Sequence, residues 1–405
     1  MNNPKYSGLH IISKNSFIFP AAFLNAAGLF LINLGIVFYT HESFKAHAGT
    51  IGLLATLNQI TYVLGCLFCN RIFDRIKPVY LTAAAALVMF VCSCMVFAVH
   101  SLAAIFFWFT LMGAGISFLW PPLMGWLTSG HKPAELSRLL SVYNMSWGAG
   151  LIISPFIAGM LASLSVKYPL YAAAVIFFLS LLLMSAAFLY FFRDKNGLYN
   201  VKTEGCLPEN GRAGDFLRFP AWLGIFVSYS IMGLINNSFP VYAVENIGLG
   251  KNQIGIIFFF RSTSNVLGFL LLGFTVRWHF KKRLMIFVFF FLAAAVFLVG
   301  RAINPVMLSL LMVFIGLTAS YAYSSSAFHC TVYSPRRGMR MAMHEAVISM
   351  GLIAGALGGG YVTRYFSFPA ACSAVSLLSL SAMSVCAVLL LHYRRKNAVF
   401  KPAVQ

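Results

Sequence analysis

Residues 33–42 read NLGIVFYTHE, and 203 positions further on residues 236–245 read NNSFPVYAVE. The two stretches share Asn, Tyr and Glu at the same three places. The same offset matches other residues along the chain: Val63-Leu64-Gly65 with Val266-Leu267-Gly268, Gly113 with Gly316, Ser117 with Ser320, and Gly148 with Gly351. Matched Gly, Asn, Tyr and Glu carry more weight than matched Leu or Val in so hydrophobic a chain. The repeating unit is half the chain, which indicates a duplicated domain and not a solenoid of short repeats.

Composition places the chain in the membrane. Of its 405 residues, 60% are hydrophobic and only 9% are charged, and its mean hydropathy is +0.83. Soluble domains carry about 25% charged residues. We therefore expect a polytopic protein of the lipid bilayer.

Apolar runs of spanning length predict twelve helices, because these runs lack the alternation of a transmembrane barrel. They lie at 17–39, 50–72, 79–98, 102–128, 140–163, 169–192, 219–243, 252–276, 283–300, 304–329, 341–364 and 368–392. The expected fold is an all-α membrane protein with two pseudo-symmetric six-helix bundles. Residues 1–192 form the first bundle, 193–218 a polar cytoplasmic linker, and 219–405 the second bundle with a short basic tail.

The net charge of +20 is an orientation signal. Of the 29 Lys and Arg residues, five lie on one side of the predicted spans and one lies within a span, while all the others share the side of the two termini. Basic residues accumulate in cytoplasmic loops. We therefore predict cytoplasmic termini in a cytoplasmic (inner) membrane and no nucleic-acid partner.

Polar residues are segregated among the helices. Apart from Arg283 and His392 at the ends of two of them, the third, sixth, ninth and twelfth runs contain no Asn, Gln, His, Trp or charged residue within these limits. The other eight runs carry such residues, which are costly in lipid and should face the protein interior or a water-filled cavity. Every third helix is thus expected to be a lipid-facing support, with the other eight surrounding something polar.

The loop after the second helix, Asn70 to Pro78, reads NRIFDRIKP. It resembles the signature loop of the major facilitator superfamily, in which a Gly is followed four residues later by Asp and then Arg. Asn70 replaces that Gly, and Lys77 stands where a second Gly is usual. The twelve helices and the six-plus-six duplication are also similar to that superfamily. The resemblance implies that Asp74 and Arg75 gate the cytoplasmic side, whereas the alternative is plain positive-inside charge.

The same resemblance implies that the first, fourth, seventh and tenth helices line a central cavity between the halves. Asn25 and Asn33 are eight residues apart on the first helix, and Tyr229 and Asn236 are seven apart on the seventh, so each pair should lie near one helix face. The substrate-binding candidates are Asn25, Asn33, Asn58, Trp120, Asn144, Tyr229, Asn236, Arg261, Asn265 and Tyr323. The alternative is that the amides join helices to one another and that the aromatic rings pack in the core.

Charge inside the spans is scarce. Arg261 lies near the middle of the eighth helix, and an unpaired charge there should meet an anionic substrate group or a carboxylate. Glu345, preceded by His344, is the only acid within a span. Glu345 is either a titrating group for proton coupling or a structural partner of a nearby arginine (Arg336, Arg337 or Arg340), and we favour the structural or gating role.

The sequence lacks a nucleotide-binding loop, a metal-ligand cluster and a nucleophile constellation. We therefore expect no enzymatic activity, no cofactor and no metal. The prediction is a monomeric secondary transporter for a small polar organic solute, neutral or singly anionic, that works by alternating access; proton coupling is left open. The alternatives are efflux of amphipathic compounds, an uncoupled facilitator, and a non-transporting membrane sensor or enzyme.

Overall fold

The computed structural model describes residues 13–68, 75–128, 133–192, 216–275, 277–331 and 337–399. Within these ranges, twelve helices are long and apolar enough to cross a membrane, which confirms the predicted all-α fold. The helices of the first half are α1 Asn15–Phe44, α2 Ala48–Phe68, α3 Pro78–Ala98, α4 Leu102–Ser117 with Trp120–Thr128, α5 Pro133–Leu164 and α6 Tyr168–Phe191. Those of the second half are α7 Arg218–Tyr242, α8 Lys251–Gly273, α9 Lys282–Val299, α10 Pro305–Thr331, α11 Arg337–Ile353 with Gly359–Tyr365, and α12 Phe368–Val399.

The fourth helix is interrupted, whereas the sequence predicted one continuous helix over 102–128. Pro121 and Pro122 have no N–H to donate to the carbonyls four residues earlier. The chain before them forms a tighter turn, in which each N–H bonds to the carbonyl three residues earlier. The backbone N–H of Phe118 donates to the Gly115 carbonyl, and that of Leu119 to the Ile116 carbonyl, both at 3.1 Å. Trp120 then begins the second segment of α4.

Two other helices contain a wider turn. A π-helical segment, Ala243–Ile247, continues α7, and a second one, Ala354–Gly358, joins the two segments of α11. Such π turns are rare and often lie at functional positions.

The helices define two faces. We call the end at which α1 begins the terminal face, and the end that carries the α1–α2, α7–α8 and α11–α12 connections the distal face. Side chains of α3, α6, α9 and α12 are extensively exposed around the rim, as the polar segregation predicted; examples are Val91, Val175, Phe290 and Val385. Exposed apolar side chains at membrane depth face lipid.

The repeat-related glycines lie where two helices meet within each half. A Cβ on Gly113 of α4 would overlap the backbone carbonyl oxygen of Asn58 on α2, and a Cβ on Gly316 of α10 would overlap that of Arg261 on α8. Small residues allow such close backbone approach. The duplicated glycines therefore fix equivalent pairs of helices at equivalent distances.

Glycines also bring the two halves together near the distal face. The Cα of Gly255 on α8 lies 2.7 Å from the position that a Cβ on Gly159 of α5 would take. On the other side of the molecule, a Cβ on Gly52 of α2 would overlap the carbonyl oxygen of Ala356 in α11. The halves are thus in direct backbone contact at the distal end of the helices.

Two ion-pairing contacts join the halves at the same face. Lys251 Nζ lies 2.5 Å from Glu42 Oε1, and His41 Nε2 lies 3.4 Å from Glu245 Oε1. Glu42 and Glu245 are the matched acids of the two repeats, and each contacts a basic side chain of the opposite half. Together with the glycine contacts, these pairs close the distal face.

The glycine contacts predict a sharp dependence of stability on one methyl group. Gly113→Ala and Gly316→Ala should each lower the free energy of unfolding by about 1–3 kcal/mol, the usual cost of overpacking. Gly224→Ala is the matched control, because a Cβ there meets only the Phe289 ring at an ordinary 3.5 Å. Thermal unfolding of the purified protein in detergent measures the difference, and equal midpoints for all three variants would contradict the assignment.

Candidate functional site

A cavity of about 310 Å³ lies between the two halves, around the middle of the helices. Its walls come from eight helices: α1, α2, α4, α5, α7, α8, α10 and α11. In the described part of the chain, α3, α6, α9 and α12 contribute no lining residue. This arrangement confirms the prediction that every third helix is a support and that the others surround a polar space.

Two repeat-related pairs of residues face this cavity. Asn33 of α1 matches Asn236 of α7, and Asn58 of α2 matches Arg261 of α8; all four line the wall. The duplication therefore places polar groups at equivalent sites on both halves. The second half differs in having a guanidinium where the first half has an amide.

Arg261 is held by neighbours in its own half. Its side chain is 4% exposed, and its Nη1 donates a 2.5 Å hydrogen bond to Oδ1 of Asn236. Its guanidinium carbon lies 4.4 Å from the ring centroid of Phe258, a favourable cation–π arrangement. Among the described residues, no carboxylate lies within ion-pair distance of Arg261. The guanidinium thus reaches the cavity with its charge unneutralised by an acidic side chain.

The other amides are tethered to neighbouring backbones. Nδ2 of Asn58 donates to the Phe109 carbonyl on α4 at 2.7 Å, and Nδ2 of Asn265 donates to the Gly316 carbonyl on α10 at 3.1 Å. Both residues also line the cavity. They therefore join helices and face the cavity at once, so the two roles predicted as alternatives are both present.

Seven of the ten predicted binding residues line the cavity: Asn33, Asn58, Tyr229, Asn236, Arg261, Asn265 and Tyr323. Asn25 does not, because its amide is buried against α6 and donates to Ser180 Oγ at 2.7 Å. Trp120 packs against the hydrophobic core where α4 resumes. Asn144 is exposed and accepts a 3.1 Å hydrogen bond from Trp147 Nε1.

Several lining residues were not among the predicted contacts. Trp147 reaches the cavity and packs against Phe269 across the two halves, with ring centroids 6.2 Å apart. Gln59 also lines it and donates to Ser349 Oγ of α11 at 3.0 Å. Asn237 is a third. Gln59 directly follows Asn58, and Asn237 directly follows Asn236. Their position next to residues predicted to bind the solute is the sequence feature that could have identified them.

Glu345 and His344 lie on α11, beside the cavity wall. His344 is buried, and its Nδ1 lies 2.8 Å from Ser326 Oγ. Glu345 lies in the neighbourhood of Tyr229 and Tyr323, both of which line the cavity. In the described part of the chain Glu345 forms no ion pair, including none with Arg340.

The predicted gate at the terminal face is only partly described. Arg75 lies in an exposed turn before α3. Asp74 and Arg336 lie outside the described residues, as does the side chain of Arg337. Among the described residues there is also no group of three His, Cys, Asp or Glu side chains suited to a metal ion.

Comparisons with known proteins agree with this architecture. The family model of the Major Facilitator Superfamily matches residues 18–205 and 221–405. The MFS-type transporter YfkF of Bacillus subtilis (strain 168) is 22% identical over 354 residues, which cover 84% of this chain and 85% of that protein.

Solved structures share the fold at low sequence identity. The nucleoside transporter NupG superposes with a TM-score of 0.70 at 12% identity, covering 93% of this chain and 99% of that one. A bacterial homologue of the human lysosomal transporter Spinster superposes with a TM-score of 0.66 at 14% identity, covering 94% and 95%. The family match over both halves and the twelve-helix fold establish that this chain is a transporter belonging to the major facilitator superfamily.

Proposed function

We propose that this protein is a secondary transporter that moves a small polar organic solute, neutral or carrying one negative charge, through the central cavity by alternating access. The observation that carries the proposal is the cavity wall itself. Asn33, Asn58, Asn236 and Arg261 line one space between the two halves, and a cavity shared by two repeats is typical of secondary transporters.

The chemistry of the wall supports this solute class. Amides both donate and accept hydrogen bonds, and the Arg261 guanidinium pairs well with a carboxylate or a similar anion. Aromatic rings, among them Trp147, Tyr229 and Tyr323, offer faces on which a ring or an apolar part of the solute packs. Among the described residues the wall has one cation and no acid, which disfavours a multivalent cation.

The distal contacts support the alternating-access step. The Glu42–Lys251 and His41–Glu245 pairs are partly exposed, and pairs of that kind contribute little free energy. The closest of the glycine contacts behind them, Gly52 with Ala356 and Gly159 with Gly255, join backbone atoms. Separation of the halves at this face would break these pairs and contacts and would open the cavity on the distal side.

The basic charge on the terminal face supports a cytoplasmic location of that face in the inner membrane. The distal face would then be extracytoplasmic. We propose a monomer as the transporting unit, since each chain contains both halves that form the cavity.

Glu345 is the best candidate for coupling to protons. It is the one acid within the predicted spans, and it lies in the neighbourhood of two tyrosines of the cavity wall. Among the described residues Glu345 has no basic partner, and a carboxyl group in that situation can gain and release a proton as the cavity changes its exposure to water. Protonation of Glu345 would thus depend on which side of the membrane the central cavity is open to.

A two-step screen tests the proposed function. Thermal unfolding of the purified protein in the presence of monocarboxylates, monosaccharides and nucleosides should identify a stabilising solute. The same solute, radiolabelled, should then enter proteoliposomes faster than it enters empty liposomes. Absence of flux for every solute in a broad panel would contradict transport.

Arg261→Gln should weaken solute binding by roughly 10- to 100-fold, because hydrogen bonds to a charged group contribute about 1.5–3 kcal/mol. Arg261→Lys should recover only part of this loss, since the ammonium lacks the planar fork of the guanidinium. Arg301→Gln is the matched control, because Arg301 lies on the distal face outside the cavity. Binding titrations that show equal losses for Arg261→Gln and Arg301→Gln would remove Arg261 from the site.

Glu345→Gln should abolish accumulation driven by a pH gradient while leaving solute exchange at equal pH on both sides intact. The reason is that exchange requires the cavity and its movement but no net proton transfer. Counterflow and gradient-driven uptake in the same proteoliposomes separate the two activities. Undiminished accumulation, or equal loss of both activities, would assign Glu345 a structural role instead.

A further inference from the structure

A second cavity lies at the distal face. Its volume is about 430 Å³, and both halves contribute to its wall. His41, Lys45 and His47 come from the end of α1 and the α1–α2 connection, whereas Glu245, Thr363 and Arg364 come from the second half. The cavity is separate from the central one, since the two have no lining residue in common.

The basic side chains of this cavity outnumber its acidic side chains among the described residues. Glu245 is its one acid, and that carboxylate is already in contact with His41 at 3.4 Å. Lys45 and Arg364 form no ion pair among the described residues. With both histidines neutral, the wall still carries an excess of positive charge. Focused positive charge in a concave site attracts anions.

Two further features favour a ligand that accepts hydrogen bonds. The Oγ1 atom of Thr363 is buried and has no hydrogen-bond partner among the described residues, although buried hydroxyls normally have one. The guanidinium of Arg364 lies 5.3 Å from the ring centroid of Tyr365, a stacking contact that leaves its N–H groups free to donate. Guanidinium and ammonium groups together are typical of phosphate recognition.

We propose that the distal cavity binds a phosphate group, either of a free anion or of a lipid headgroup, between Lys45 of the first half and Arg364 of the second. Thr363 also lines this cavity, and its hydroxyl has no hydrogen-bond partner among the described residues. The site is distinct from the transport cavity and does not depend on the identity of the transported solute.

The location of the site gives the anion a conformational effect. Lys45 and Arg364 belong to different halves that meet at the distal face. A phosphate bound to both holds the halves together only while this face is closed, so its binding free energy stabilises the closed state. The anion thus acts at a second site on the same movement that exposes the central cavity.

Calorimetric titration of the full-length protein in a neutral detergent tests the site. Inorganic phosphate, added at constant ionic strength with chloride as the balancing anion, should bind saturably. Short-chain phosphatidylglycerol is titrated in parallel, with the uncharged short-chain diacylglycerol as its control. Binding of phosphate alone identifies a free anion as the ligand, and binding of phosphatidylglycerol alone identifies a lipid headgroup. Binding of neither overturns the proposal.

Variants assign the binding to this cavity. Lys45→Gln and Arg364→Gln should each weaken binding by about 10-fold or more, while Lys167→Gln and Arg301→Gln, on the same face but outside the cavity, should leave it unchanged. Glu245→Gln should strengthen binding severalfold because it removes a repelling carboxylate. This gain cannot arise from misfolding. Equal effects of the cavity and control variants, or weaker binding by Glu245→Gln, would overturn the proposal.

Discussion

The close approach of α4 to α2 and of α10 to α8 determines where the polar groups of the central cavity lie. Gly113 packs against the backbone carbonyl of Asn58, and Gly316 packs against that of Arg261. In each half the contact therefore occurs at the residue whose side chain faces the cavity. Any larger side chain at either glycine would push α2 or α8 away and displace the amide or the guanidinium. The duplicated glycines thus set the geometry of the site as well as that of the helix bundle.

This packing constraint explains why the two halves repeat their glycine contacts and yet differ in a side chain that faces the cavity. The packing contacts are repeated in both halves: a Cβ on Gly65 would overlap Oγ of Ser117, and one on Gly268 would overlap Oγ of Ser320. The side chain at the matched position is free to differ, because the glycine packs against the backbone carbonyl of that residue and not against its side chain. Arg261 stands where the first half has the amide of Asn58, so the second half brings a charge to the cavity on the same helix packing. Its hydrogen bond goes to Asn236, the counterpart of Asn33 in the first half.

Much of this was predictable from the sequence, because burial of polar groups in lipid is so costly. Hydropathy alone located the twelve helices, and the distribution of polar residues identified the four support helices. Which of the predicted residues line the cavity depends on the direction in which each one faces around its helix. Tyr229 and Asn236 are seven residues apart, about two turns at 3.6 residues per turn, and both line the cavity. Asn25 and Asn33 are eight apart, which turns them by about 80°, and Asn25 faces Ser180 of α6 instead.

Contacts between distant residues were beyond the reach of the sequence. Gln59 meets Ser349 through the packing of α2 against α11, and no periodicity in either helix predicts that pair. The distal cavity likewise combines the α1–α2 connection with the ends of α7 and α11. The matched acids Glu42 and Glu245 were visible as a repeat. That each contacts a basic side chain of the opposite half follows only from the way the two halves dock.

The most direct test of the proposed mechanism is to lock the distal face covalently. A zero-length carbodiimide joins a carboxylate to an amine in contact with it, as Glu42 and Lys251 are, and mass spectrometry gives the linked fraction. Solute flux in proteoliposomes should fall in proportion to that fraction, whereas Glu42→Gln protein treated identically should lose less. Undiminished flux through fully linked protein would show that the halves do not need to separate at this face, and it would contradict alternating access about the central cavity.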